Sequence, residues 1–399
     1  MNGSFYDYIE RHRSFLLLGA SSASYFFAMV VARKTLDADG LYFWNVLVTL
    51  VSMSFSFCFF GAEQVFLRQS TVMEGRVEIN RTTLWVMAGA LLLFTVLLAA
   101  VFEGYFFHLG GVAIYLFLAV CVGIFVFVYN FLRLRRSFSA AQLAANGWKF
   151  TILPGVLLAP FGNTAWSIMS GFGLAAAGAI WLLVYSRKSL VVTDDLMPVG
   201  WKPLFFGYSL SLLVLMVLNN ADRLIISRYG SQEQFSEYVY LVTLLLLPFS
   251  LLSNYFGFRE MAHLKRGYDR RLFARKVFAG GALTGFVFVP WFGLIYAFQE
   301  ALEVPIIGVY ALPGMVIVTC RSSYALLSAL FALKARPEQI YIANLLTLLV
   351  IVAGMSFLIV VKVTITSTLL VFAAFWSARI AIYAYFSVQV KEYKSCHAH

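Results

Sequence analysis

Long apolar runs, separated by short clusters of charge and glycine, organise this chain from residue 15 onward. A helix that crosses the hydrocarbon of a bilayer needs about 20 predominantly apolar residues. Runs of that kind fall at 15–32, 41–62, 84–102, 112–132, 141–161, 165–186, 204–227, 235–257, 277–298, 304–331, 338–361 and 365–388. They predict an all-α polytopic membrane protein of about twelve transmembrane helices. The run 141–161 is the least regular, because it contains Lys149, Pro154 and Pro160. A very tight turn joins it to the next run. The connections are short, the longest charged ones being 186–203 and 258–276. The first apolar run has full spanning length, so it reads as a helix of the protein and not as a cleaved leader.

Composition agrees with the pattern. Hydrophobic residues make up 61% of the 399 positions and charged residues 12%, against about 25% charged in soluble domains. So few charges cannot cover a water-exposed surface, and a core of ordinary size cannot hide 39 phenylalanines. The apolar excess must face lipid. The net charge of +11 follows topology. With the N-terminus in the cytoplasm, 22 of the 30 basic residues flank the spans on that side and 4 lie on the outer side, the asymmetry of the positive-inside rule. An even number of spans and two cytoplasmic termini satisfy this count together, and no nucleic-acid surface is needed to explain it. Cys58, Cys121, Cys320 and Cys396 have neither paired nor metal-ligand spacing.

The remaining four basic residues, Lys149, Arg223, Arg321 and Arg379, lie inside predicted spans. A charge in hydrocarbon is costly, and such side chains generally face a bundle interior or a cavity. Arginine can hold a phosphate bidentately and lysine offers a point charge. These residues, with Arg33 at the outer end of the first span, are therefore candidate ligands of an anionic substrate. The competing reading is that Arg33, Lys34 and Arg223 reach the outer headgroups, and Arg321 and Arg379 the inner ones. Lys149 is too central to do so easily. Asp222 is the acidic residue well inside a span, and it shares a helical face with Asn219 and Arg223. Two roles stand for it: structural pairing with Arg223 or another base, or binding of a coupling proton or cation. Glu63, at the inner end of the second span, reads as an ordinary interfacial residue.

No catalytic constellation is present. The chain has no Walker A sequence, no H-E-x-x-H and no G-x-S-x-G. It is therefore expected to be a transporter and not an enzyme, with no metal and no cofactor. Pro154, Pro160, Pro248, Pro290 and Pro313 interrupt the backbone ladder of their helices. The basic segment 261–276 would be attracted to anionic membrane lipids.

Two stretches carry a family resemblance. The first, residues 30–69, contains Ala32, Arg33, Gly40 and Tyr42; the second, residues 215–248, contains Asp222, Arg223, Leu224, Ile225, Ile226, Gly230 and Tyr238. Both resemble the polysaccharide-repeat flippases of bacterial O-antigen and capsule synthesis, within the multidrug, oligosaccharidyl-lipid and polysaccharide exporter superfamily. The stretches begin the first and seventh spans, which implies two six-helix bundles, residues 1–188 and 189–399. Here Asp37 and Asp39 partly replace the glycine usual in the turn after Arg33. The resemblance implies a polyprenyl-pyrophosphate-linked glycan substrate and a bacterial inner membrane. It also implies alternating access driven by a gradient of H+ or Na+, with a glycan polymerase and chain-length machinery as partners. On that reading Lys149, Arg321, Arg379, Arg33 and Arg223 hold the pyrophosphate. A small-solute exporter of the same superfamily and a membrane glycan polymerase or ligase stand as alternatives. The short outer connections and the cationic interior count against them.

Overall fold

The computed structural model describes residues 3–73, 76–103, 112–135, 137–194, 201–264, 267–304, 308–390 and 393–394. Cys396 and four of the 22 basic residues counted on the cytoplasmic side, Arg136, Lys265, Arg266 and Lys391, lie outside them. The protein is largely α-helical. Ten helices among the described residues are long and apolar enough to cross a membrane, and the chain is a multi-pass membrane protein. Its burial pattern is that of a protein in lipid. Large apolar side chains such as Trp85, Leu92, Phe278, Phe286 and Val360 point outward, while Ser21, Asn45, Thr49, Asn130, Thr284, Ser322 and Asn344 are buried. Without water outside, polar groups find their partners in the interior.

The chain divides into two compact units, residues 1–216 and 217–399. The first contains α1 (Gly3–Thr35), α2 (Ala38–Phe57), α3 (Ala62–Gln69), α4 (Arg81–Glu103), α5 (Val112–Leu134), α6 (Phe138–Asn146), α7 (Trp148–Leu158) and α8 (Thr164–Tyr185). It also includes the first half of α9 (Trp201–Tyr229). The expected span 141–161 is here α6 and α7, which meet at Gly147. Pro154 inside α7 has no N–H to give to the preceding turn. Neither half alone has the length of a span.

Between α7 and α8 the backbones touch. A Cβ placed on Gly171 would lie 2.7 Å from the carbonyl oxygen of Thr151 and 3.0 Å from Ile152 Cα. One placed on Gly155 would lie 2.6 Å from the carbonyl oxygen of Ser167. Thr151 Oγ1 donates to the Gly171 carbonyl at 2.7 Å across this crossing. Small residues at a membrane helix interface allow such an approach.

After α2 the chain reverses through Phe60 (φ 49°) and Gly61 (φ 86°), both in the left-handed region. Gly61 sits against Tyr208 and the backbone of Ser209 in the first half of α9, and Ser209 Oγ donates to the Phe60 carbonyl. Beyond α3, β1 (Thr71–Met73) and β2 (Arg76–Asn80) form an antiparallel pair, and β2 pairs in parallel with β3 (Leu190–Thr193). Val77 and Ile79 of the central strand are fully buried. An ion pair from Arg81 to Asp194, 3.1 Å, joins the residues that follow β2 and β3.

The second unit holds the rest of α9, then α10 (Gln232–Leu264), α11 (Arg270–Ala297), α12 (Ala311–Lys334), α13 (Pro337–Val361) and α14 (Ile365–Ser387). The expected span 235–257 falls within α10. The central helix is α12, which packs against α10, α11 and α14. At one end a buried cluster of Leu264, Tyr268, Phe273, Leu330, Phe331 and Phe386 is closed by a short clip, in which β4 (Gly267–Tyr268) pairs with β5 (Tyr393–Lys394).

Candidate functional site

Each unit encloses a polar centre, and each is described on its own. In the first unit the centre is Lys149, at the start of α7. Its Nζ donates to Asn146 Oδ1 at 2.8 Å, and Asn146 Nδ2 donates to Gln142 Oε1 at 3.0 Å. Gln142, Asn146 and Lys149 follow i, i+4, i+7 spacing and so form one polar stripe. Beside it Trp148 is buried, stacked on Phe172 at 5.3 Å and edge-on to Tyr25 at 5.6 Å. Ser24 of α1 donates to the Lys149 carbonyl at 3.0 Å. Arg33 lies nine residues beyond Ser24, about 13 Å further along the helix axis, half-buried in the last turn of α1.

In the second unit the sequence-predicted residues do gather. Asp222 is buried and accepts a hydrogen bond from Tyr238 at 2.7 Å. Among the described residues Asp222 makes no direct ion pair with Arg223. Its second oxygen, Arg223 Nε and Asn219 Oδ1 have no hydrogen-bond partner. Arg321, on α12, lies within the electrostatic field of both Arg223 and Asp222. Its guanidinium stands 5.3 Å from the centre of the Trp376 ring of α14.

Further along α14, Arg379 is 1% exposed. It lies against two tyrosine rings, 4.6 Å from Tyr324 and 4.9 Å from Tyr383. Its Nη2 donates to Tyr324 Oη at 2.7 Å and to Tyr383 Oη at 3.3 Å, and Tyr383 donates to Asn344 Oδ1 at 3.4 Å. Reach to the inner headgroups is therefore excluded for Arg379 in this structure, because its cation is enclosed by aromatic rings.

Some of these partners were readable and some were not. Tyr383 is four residues from Arg379, and Tyr324 three from Arg321, so each pair shares a helix face. The Tyr324–Arg379 bond joins positions 55 residues apart. Glu63 was read as interfacial, yet the structure buries it to 8% exposure, with Oε2 unpartnered. It lies in the first turn of α3, just past the left-handed pair Phe60 and Gly61. Burial pushes its carboxyl up to about 7 from 4.5. The folded protein thus holds this proton more tightly than the unfolded chain. Its stabilising effect is complete below about pH 4.5 and is lost as pH rises through 7. Full ionisation costs about 3 kcal/mol. Glu63→Gln should leave the melting temperature at pH 4 unchanged and raise it at pH 8, flattening the profile. A variant profile parallel to that of wild type would assign the pH dependence to another group.

Taken together, the intramembrane cations sit against neutral partners: an amide for Lys149, an indole for Arg321 and phenols for Arg379. Of the three, Lys149 and Arg321 are half-buried and Arg379 is enclosed. No protein-family model matches the chain, and neither a curated protein nor a solved structure is significantly similar to it, so the function must be argued from this site itself.

Proposed function

We propose that the protein is a flippase that carries a polyprenyl-pyrophosphate-linked glycan from the cytoplasmic to the outer leaflet of a bacterial inner membrane. The observation that carries this reading is Lys149, a half-buried intramembrane cation whose hydrogen-bond partner is the neutral amide of Asn146, with the half-buried Arg321 set over an indole in the second unit. A buried charge without a counter-charge is destabilising, and a pyrophosphate supplies that counter-charge while it is in transit. The half-buried amides of Gln142 and Asn146 beside Lys149 suit the hydroxyls of sugars, which bond to amides. The lipid tail would remain in the bilayer between helices.

In this reading α6 and α7 together make one kinked span and α10 another. That gives twelve spans, six in each bundle, with the basic ends and both termini in the cytoplasm. Alternating access of the two bundles then moves the headgroup, driven by an H+ or Na+ gradient, with Asp222 and Glu63 as the acidic groups able to respond to it. Glycan polymerase and chain-length machinery would consume the product.

Lys149→Met provides the test. Lipid-linked glycan would be labelled in spheroplasts and its outward exposure measured with an impermeant sugar-binding reagent. The variant should flip at least about tenfold more slowly at equal protein level, as expected for loss of one charge-assisted contact to phosphate. Wild-type flipping by Lys149→Met would remove Lys149 from the substrate path. Normal outward exposure in cells lacking the gene, together with inactivity of the purified protein in vesicles, would overturn the flippase reading.

A further inference from the structure

Helix α11 has an inner and an outer side. Phe273, Gly281, Thr284 and Phe288 are buried on the inner side, where Gly281 faces Thr319 and Ser323 of α12. On the outer side Arg271, Arg275, Phe278, Ala282 and Val289 are all exposed. Their spacing of i, i+4, i+7, i+11 and i+18 keeps them on one stripe of the helix.

The basic end of this stripe lacks the partners that its neighbours have. Lys276 pairs with the buried Glu260 at 2.8 Å. Arg270 donates to the Val390 carbonyl at 3.4 Å. The carboxylate of Asp269 accepts from the Leu272 N–H at 2.9 Å and caps the helix. Arg271 and Arg275 make no ion pair among the described residues. Like charges at i, i+4 repel, and the helix dipole disfavours a cation in the first turn, where Arg271 stands. The fold therefore gains nothing from placing these two guanidiniums together. An anion between them reverses both costs. Side chains at this spacing start about 6 Å apart, and each guanidinium offers a fork of donors to phosphate oxygens.

The rest of the stripe identifies what carries the phosphate. From Phe278 to Val289 its exposed positions are apolar over about 16 Å of helix rise, with Phe278 79% and Val289 61% exposed. A soluble anion makes no use of that surface. A lipid meets both parts at once, headgroup at the arginines and chains along the apolar positions.

We propose that Arg271 and Arg275 hold the phosphate of an anionic phospholipid whose acyl chains lie along Phe278, Ala282 and Val289. This is a site at a fixed place on α11, beyond the general attraction of basic segments to anionic membranes. It does not depend on the flippase reading.

The test is native mass spectrometry of the purified full-length protein in detergent, titrated with phosphatidylglycerol or with phosphatidylcholine of the same chains. Wild type should retain one phosphatidylglycerol per chain, at least about tenfold more tightly than phosphatidylcholine. Replacing both arginines, Arg271→Gln with Arg275→Gln, should weaken that binding about 30-fold, as expected for two charges at the membrane surface. Arg187→Gln with Lys188→Gln removes the same charge from an exposed turn of the first unit, and should leave the affinity within about twofold of wild type. Equal losses in the two charge-matched variants would overturn the proposal in favour of diffuse attraction. So would equal retention of the two lipids by wild type. Displacement of phosphatidylglycerol by an equal concentration of inorganic phosphate would also overturn it, in favour of a soluble-anion site.

Discussion

Gly171→Val is expected to destabilise the first unit by about 3 kcal/mol or more, lowering the melting temperature of the purified protein by about 10 °C and reducing the amount found in membranes. The cause is backbone contact. A side chain at Gly171 meets the Thr151 carbonyl oxygen and Ile152 Cα of α7 at 2.7 and 3.0 Å, and neither atom can rotate away. To admit a valine, α7 must separate from α8, which breaks the Thr151–Gly171 hydrogen bond and opens the stack of Trp148 on Phe172. The effect would therefore extend to Lys149, next to Trp148. Gly178→Ala is the control, because nothing lies within 4 Å of a Cβ there. Thermal melting in detergent, followed by size-exclusion chromatography, measures both. Equal melting temperatures for Gly171→Val and Gly178→Ala would show that the two helices are not locked at this crossing.

If the protein is the flippase proposed above, Arg321→Leu should lower transport about 100-fold at unchanged protein level, the loss expected when a charge that pairs with an anionic substrate is removed. Arg321 is half-buried, which distinguishes it from the enclosed Arg379 and leaves it able to meet a substrate. Arg223 and Asp222 act on it electrostatically, and Trp376 supports its guanidinium from one face. Arg321→Lys keeps the charge but loses the planar fork, so partial recovery is expected. The measurement is the initial rate of headgroup translocation in vesicles containing purified protein. A rate for Arg321→Leu within twofold of wild type would assign Arg321 to structure alone.

How much of this could be read from the sequence depends on the range of the interaction. Apolar length is a local property, and the ten candidate helices follow from it. The irregular run 141–161 announced its own interruption through Lys149, Pro154 and Pro160. Where it would divide, at Gly147, was not readable, because packing against α8 sets the path of α7. The in-span cations were readable as individual costs, but their partners were not. Nothing local connects Arg379 with Tyr324 or Asp222 with Tyr238. The burial of Glu63 escapes the sequence for a related reason. A carboxylate beside a span end normally meets water, and only the reversal at Phe60 and Gly61 folds it inward. The β1–β2–β3 sheet left no signal, since strands of three to five residues fall below any useful periodicity.

That sheet has a consequence for the order of assembly. Strand β2 ends at Asn80 and its parallel partner β3 begins at Leu190, so α4 to α8 are all synthesised between them. Non-local strand pairing forms late, because it must await loop closure. Until Leu190–Thr193 emerges, the buried positions Val77 and Ile79 have no cover on that side. The sheet thus closes only after α4 to α8 have been synthesised, and the first half of α9, which follows β3 in the chain, is the last part of the first unit to be made.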